Sequence, residues 1–120
     1  MRSELLSPLT IDERRLLDGL LAHDFPGVDE LRVQARVVHA RKGCTCGCGT
    51  IDLVPMGNDP PRSEATSPVP TEGTVLDTSG VDIGGLLLFL TDGLLGSLEV
   101  YAYNEPLPLP MIDNVRWWNR

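Results

Sequence analysis

The chain has 120 residues, 42% hydrophobic and 22% charged, which is the usage of one globular domain and excludes a disordered segment. That length buries a single core without disulfides or metal, and with only 5% aromatic residues the core falls to Leu, Val and Ile. The net charge of −7 is uneven, with eight acids against seven bases in residues 1–54 and nine against three in residues 55–120. Such a surface repels phosphate backbones and anionic lipid, so neither nucleic acid nor membrane is an expected partner.

Asp12, Glu13, Arg14 and Arg15 interrupt the apolar positions near the N-terminus and no small-residue cleavage site follows, so a cytoplasmic location is expected. The longest apolar run, Ile83 to Leu90, falls well short of the roughly 18 residues of a membrane-spanning helix. Thr10-Ile11-Asp12-Glu13 matches the capping box and predicts a helix starting there. Leu16, Leu17, Leu20 and Leu21 carry it at helical spacing to near His23, before Pro26-Gly27. A second helix covers Val28 to Ala35, with Val28, Leu31 and Ala35 on one face.

From Arg36 the pattern turns to strands. Val37 and Val38 are separated by a glycine-rich cluster from Ile51-Asp52-Leu53-Val54, which reads as a hairpin. Placing Ile51 and Leu53 opposite Lys42 and Ala40 turns Val38 inward with them, whereas a one-residue slip would bury Arg41 and His39 instead. Residues 55–73 hold five prolines and almost no large apolar side chain, so an exposed, mobile loop is expected there. Leu86 to Thr91, Asp92-Gly93 and Leu94 to Tyr103 form a second hairpin, since Asp-Gly between apolar runs supplies the two positive φ angles of a tight turn.

Pairing across that turn sets Leu87 opposite Leu98. The continuous apolar run suggests a first strand covered on both faces. The alternation of Glu99, Tyr101 and Tyr103 with Leu98, Val100 and Ala102 suggests a second strand nearer the edge. A further strand is possible from Thr74 to Leu76, and the proline-rich tail is expected to run over the surface with Trp117 and Trp118 docked or loose. The expected architecture is α+β, a single domain over 1–120, with two N-terminal helices packed on one side of an antiparallel sheet of four or five strands.

All three cysteines lie in Cys44-Thr45-Cys46-Gly47-Cys48. Three thiolates so close are candidate ligands for a soft metal, with zinc wanting four ligands and sulfur at about 2.3 Å. A fourth ligand is missing from the motif, and His39 sits on the opposite face of its strand, at about 3.3 Å rise per residue too far without a bend. Two of the thiols are alternatively a transient redox pair, or all three pack as small hydrophobes. His23 and His39 are the only histidines for a Cys-His nucleophile, and His23 reads as a helix C-terminal residue. No phosphate loop, dinucleotide glycine motif, His-Glu-x-x-His or Gly-x-Ser-x-Gly occurs, and the pairs Asp12/Glu13 and Asp29/Glu30 suit helix starts.

The series Asp24-Phe25-Pro26-Gly27, Leu31-Arg32, Gln34, Cys46-Gly47-Cys48, Asp92-Gly93 and Leu98-Glu99-Val100-Tyr101 resembles a family of small uncharacterised bacterial proteins. The resemblance implies a shared bacterial fold and no activity or site residue. The small acidic domain and the missing catalytic constellation point to a non-enzymatic, inhibitor- or immunity-like domain that binds another, basic protein. The alternative is a metal-binding or thiol-redox protein using Cys44, Cys46 and Cys48, with zinc as the possible cofactor and no other implied.

Overall fold

A computed structural model describes residues 6–42 and 48–120. Seven strands form one antiparallel sheet: β1 (Ser7–Pro8), β2 (Val38–Lys42), β3 (Ile51–Pro55), β4 (Thr71–Leu76), β5 (Asp82–Thr91), β6 (Leu94–Ala102) and β7 (Val115–Asn119). Their order across the sheet is β1-β2-β3-β6-β5-β4-β7. Two helices, α1 (Ile11–Leu20) and α2 (Val28–Ala35), pack on one face, α2 against β6 and α1 against β4 and the 3-10 turn Ile112–Asn114. The α+β class is as expected, but the sheet is larger than the four or five strands read from the sequence.

The helices form where local chemistry asks for them. Thr10 closes the capping box on α1, its hydroxyl accepting from the Glu13 N–H at 3.1 Å while Glu13 accepts from the Thr10 N–H at 2.9 Å. The helix ends at Leu20, earlier than His23, and Arg32 of α2 reaches back to donate to the Leu21 carbonyl at 2.9 Å, satisfying one of the acceptors that the helix end leaves free. Leu16, Leu17, Leu20 and Leu31 are fully buried against Ile51, Leu86, Leu88 and Leu98 of the sheet.

The β2–β3 hairpin has the expected register, with Lys42 opposite Ile51 and Ala40 opposite Leu53. The β5–β6 hairpin departs from its expected one. Asp92 and Gly93 make the tight turn at φ 53° and 80°, but Gly96 is an extra residue in β6, so Leu88 faces Leu98 and Leu87 faces Glu99. This bulge is what brings Leu88 and Leu98 onto the same buried face.

Two further expectations about this hairpin are corrected. The helix-side face of β5 is buried through Leu86 and Leu88, while on the other face Gly85 is buried and Leu87 and Phe89 are only half-buried. β6 is the central strand of the sheet and not near an edge. Its polar alternation of Ser97, Glu99 and Tyr101 arises because no helix layer covers that face. The molecule measures 43 × 40 × 22 Å, and the short dimension holds one sheet and one helix layer.

Between β3 and β4, residues 56–70 form no helix or strand and most of them are exposed, but the segment is anchored at its buried residues. Pro55 ends β3 and Thr71 begins β4, while Ser63, Val69, Thr71 and Glu72 are buried. Gln34 of α2, fully buried, donates to the Pro61 and Gly93 carbonyls at 2.6 and 2.9 Å and accepts from the Leu95 N–H at 2.8 Å. Ser63 donates to the Gly27 carbonyl at 2.7 Å, and the Val69 N–H donates to the Leu88 carbonyl at 3.0 Å. The tail ends in β7, whose Trp117 lies so close over α1 that a Cβ on Gly19 would fall 2.3 Å from its ring.

Candidate functional site

Cys44 and Cys46 lie outside the described residues, so of the three candidate metal ligands only Cys48 is placed. Cys48 is half-buried at the entry to β3, where hydrogen bonding from the Thr50 backbone and hydroxyl lowers its thiol below the ordinary value. The Thr50 hydroxyl also accepts from the Val100 N–H at 3.0 Å, which ties this approach to β6. Among the described residues no group of three or more His, Cys, Asp and Glu side chains gathers as a metal site. His39 stands on β2 opposite Val54, its Nδ1 buried and without a hydrogen-bond partner among the described residues. His23 is exposed beyond the end of α1.

The uncovered face of the sheet and its hairpin end present a different surface. Arg41 and Asp52 pair across β2 and β3 at 3.4 Å, and Arg120 holds the largely buried Glu72 at 2.6 Å beside the exposed Trp118. A cleft of about 480 Å³ opens where β3 and β6 separate after only two residue pairs. Two of its charges are engaged, Arg41 by Asp52 and Arg62 by the Asp92 carbonyl at 2.7 Å, while the Asp92 carboxylate is in none of the ion pairs among the described residues. On this face Arg41 and Arg120 each stand beside a carboxylate.

The end of the sheet at the β4–β5 turn has no side-chain ion pair among the described residues. Asp77 shapes that turn by accepting from the Ser79 and Val81 N–H groups at 2.8 and 2.9 Å, with Gly80 at φ 83°, and the turn leaves Val81 exposed. Beside it Asp82 accepts from the Tyr103 hydroxyl at 3.3 Å and from the Gly84 N–H at 3.3 Å. Partial burial and the Asp82 carboxylate hold the Tyr103 phenol above its ordinary value, so it stays a neutral donor.

A cavity of about 280 Å³ opens among Val75, Ile83, Leu107, Pro108 and Pro110 with Asp77 at its rim. A second, of about 290 Å³, shares Ile83 and Leu107 with it and adds Asn104 and Glu105. The sequence holds no Lys or Arg between Arg62 and Arg116. Among the described residues the side-chain ion pairs engage Asp18, Asp24, Asp29, Asp52 and Glu72; Asp77, Asp82, Glu105 and Asp113 here are in none, as are Asp92 and Glu99 elsewhere on the sheet. Apolar hollows, exposed aromatic rings and unopposed carboxylates therefore meet at one end of the sheet, a combination suited to a partner carrying apolar and cationic side chains.

The acidity of the second half was readable from the sequence, but the gathering of four of its nine acids at this end was not. It depends on the β4–β5 turn bringing Asp77 and Asp82 beside the end of β6 and the tail. No protein-family model matches the chain, and no curated protein and no solved structure is similar to it. No helix is long and apolar enough to cross a membrane among the described residues.

Proposed function

We propose that this chain is a non-enzymatic bacterial, cytoplasmic protein that works by binding another protein, in the manner of small acidic inhibitor or immunity proteins. The observation that carries this reading is the end of the sheet at the β4–β5 turn, where Val81, Tyr101 and Tyr103 are exposed beside carboxylates that are in no ion pair among the described residues. Desolvating such a surface against a basic partner gains apolar area at its centre and charge pairing at its rim. The reading requires a saturable, salt-sensitive complex whose affinity depends on this end.

The test begins by capturing a partner with the native protein and purifying it. Binding isotherms then compare the native chain with Val81→Ser/Ile83→Ser and with Arg15→Glu on α1 as a control. Loss of about tenfold or more in the first variant, with the control unchanged, is expected. Equal affinity for all three would exclude this end as the docking surface.

The second reading, metal binding or thiol-redox chemistry at Cys44, Cys46 and Cys48, draws on the lowered Cys48 thiol. Zinc titration of the reduced protein, followed by thermal unfolding, separates it from the first. A structural metal would raise the unfolding temperature in the native chain and not in the triple Cys→Ser variant.

A further inference from the structure

Tyr101 and Tyr103 are the chain's only two tyrosines, and they stand together. Alternate residues at the end of β6 point to one face, which places both rings on the uncovered side of the sheet. Their centroids are 6.0 Å apart and their planes are inclined by 56°. Gly85 lies opposite Tyr101 across β5, and the ring rests on it so closely that a Cβ there would fall 2.3 Å from Tyr101 Cζ. One side of the Tyr101 ring is thus held against the β5 backbone, while the residue keeps 40% of its surface exposed. Tyr103, 57% exposed, stands beside it, and its hydroxyl donates to the Asp82 carboxylate at 3.3 Å.

An aromatic face carries negative potential, and a carboxylate that accepts from one hydroxyl and one amide has lone pairs to spare. Arg116 is the base in the same cross-strand row, in register through Thr74 and Gly85 with Tyr101. Three strands of spacing put its backbone roughly 14 Å from that of Tyr101. The geometry points to a recognition corner for an arginine side chain of the protein partner. The guanidinium plane stacks on the outward face of Tyr101, abuts Tyr103 and donates to the Asp82 carboxylate. A planar guanidinium meets ring and carboxylate together, which a point-charge ammonium does not. The inference rests on the protein-binding reading above and names the side chain which that surface takes.

Because no other tyrosine exists, the tyrosine ring signals in an NMR spectrum report on this corner alone. The full chain is titrated with N-acetyl-argininamide and, in parallel, with N-acetyl-citrullinamide, its neutral near-isostere. Saturable shifts of both rings are expected with the arginine probe only. Asp82→Asn should weaken them about threefold, a typical exposed charge-pair contribution. Tyr101→Leu should abolish binding, and Gly85→Ala should weaken it by lifting the ring while leaving all three side chains in place.

Equal shifts from the two probes, or an undiminished response in Asp82→Asn, would overturn the assignment. The two readings fail separately. If neither probe binds while Val81→Ser/Ile83→Ser still abolishes partner binding, the arginine assignment falls and the docking surface stands. Partner binding indifferent to every substitution at this end removes the docking surface itself.

Discussion

Substituting Gln34 by Leu tests how the long segment before β4 is held in place. The side chain is fully buried and makes three hydrogen bonds, to the Pro61 carbonyl, the Gly93 carbonyl and the Leu95 N–H. Leucine fills nearly the same volume, so the loss is chiefly polar. The Gly93 carbonyl keeps the Ser63 N–H at 2.9 Å, and Pro61 is exposed enough for water to replace its donor. The Leu95 N–H, on a residue 2% exposed, is left without a partner. An orphaned buried amide costs about 1–3 kcal/mol and each replaced bond about 1 kcal/mol, which gives a loss of about 3 kcal/mol.

For 120 residues the unfolding entropy scale converts this to a fall of roughly 10 °C in Tm. Urea unfolding followed by the fluorescence of Trp117 and Trp118 measures it directly. Gln34→Glu supplies an independent sign. Its carboxylate accepts from Leu95 but cannot donate to Pro61 or Gly93, so its deficit should shrink as pH falls and the buried acid protonates. A Gln34→Leu variant within about 0.5 kcal/mol of the native chain would refute the reasoning.

Other consequences follow from the packing. Val69→Ala should cost about 2 kcal/mol, because Val69 is fully buried, and chemical unfolding should show it. Gly19→Val should destabilise by about 1–3 kcal/mol and shift tryptophan emission to the red, since the new side chain collides with Trp117. In a spectrophotometric tyrosine titration, Tyr103 should ionise above the ordinary value and Asp82→Asn should bring its midpoint down. The sign for stability is that the Tyr103 contribution is complete below the ordinary tyrosine range and is lost as pH rises through the folded value.

What the sequence made legible was what nearby residues determine. The capping box, the α2 boundaries, the β2–β3 register and the Asp92-Gly93 turn all depend on residues a few positions apart. What it hid depends on distant partners. β1 is two residues long, and β7 counts as a strand only by pairing with β4, although Val115 and Trp117 already alternate with Arg116 and Trp118. The anchoring of the 55–73 segment was not legible because its partners are Gln34 on α2, Gly27 and Leu88. Gln34 itself offered a faint signal, since it lies three residues from Leu31 and so on the apolar side of α2.

The same division holds for the candidate site. Sequence reasoning singled out Cys44, Cys46 and Cys48 because they are adjacent, and it treated Tyr101 and Tyr103 only as strand alternation. The latter two gain meaning from Gly85 and Asp82, which lie on the neighbouring strand β5.

Hydrogen exchange of the full chain, alone and in complex with its purified partner, tests the docking surface most directly. The account predicts new protection concentrated in residues 76–84 and 101–110, with the outer surfaces of α1 and α2 unchanged. Protection confined to the helices, or none at the sheet end in a saturated complex, would contradict it.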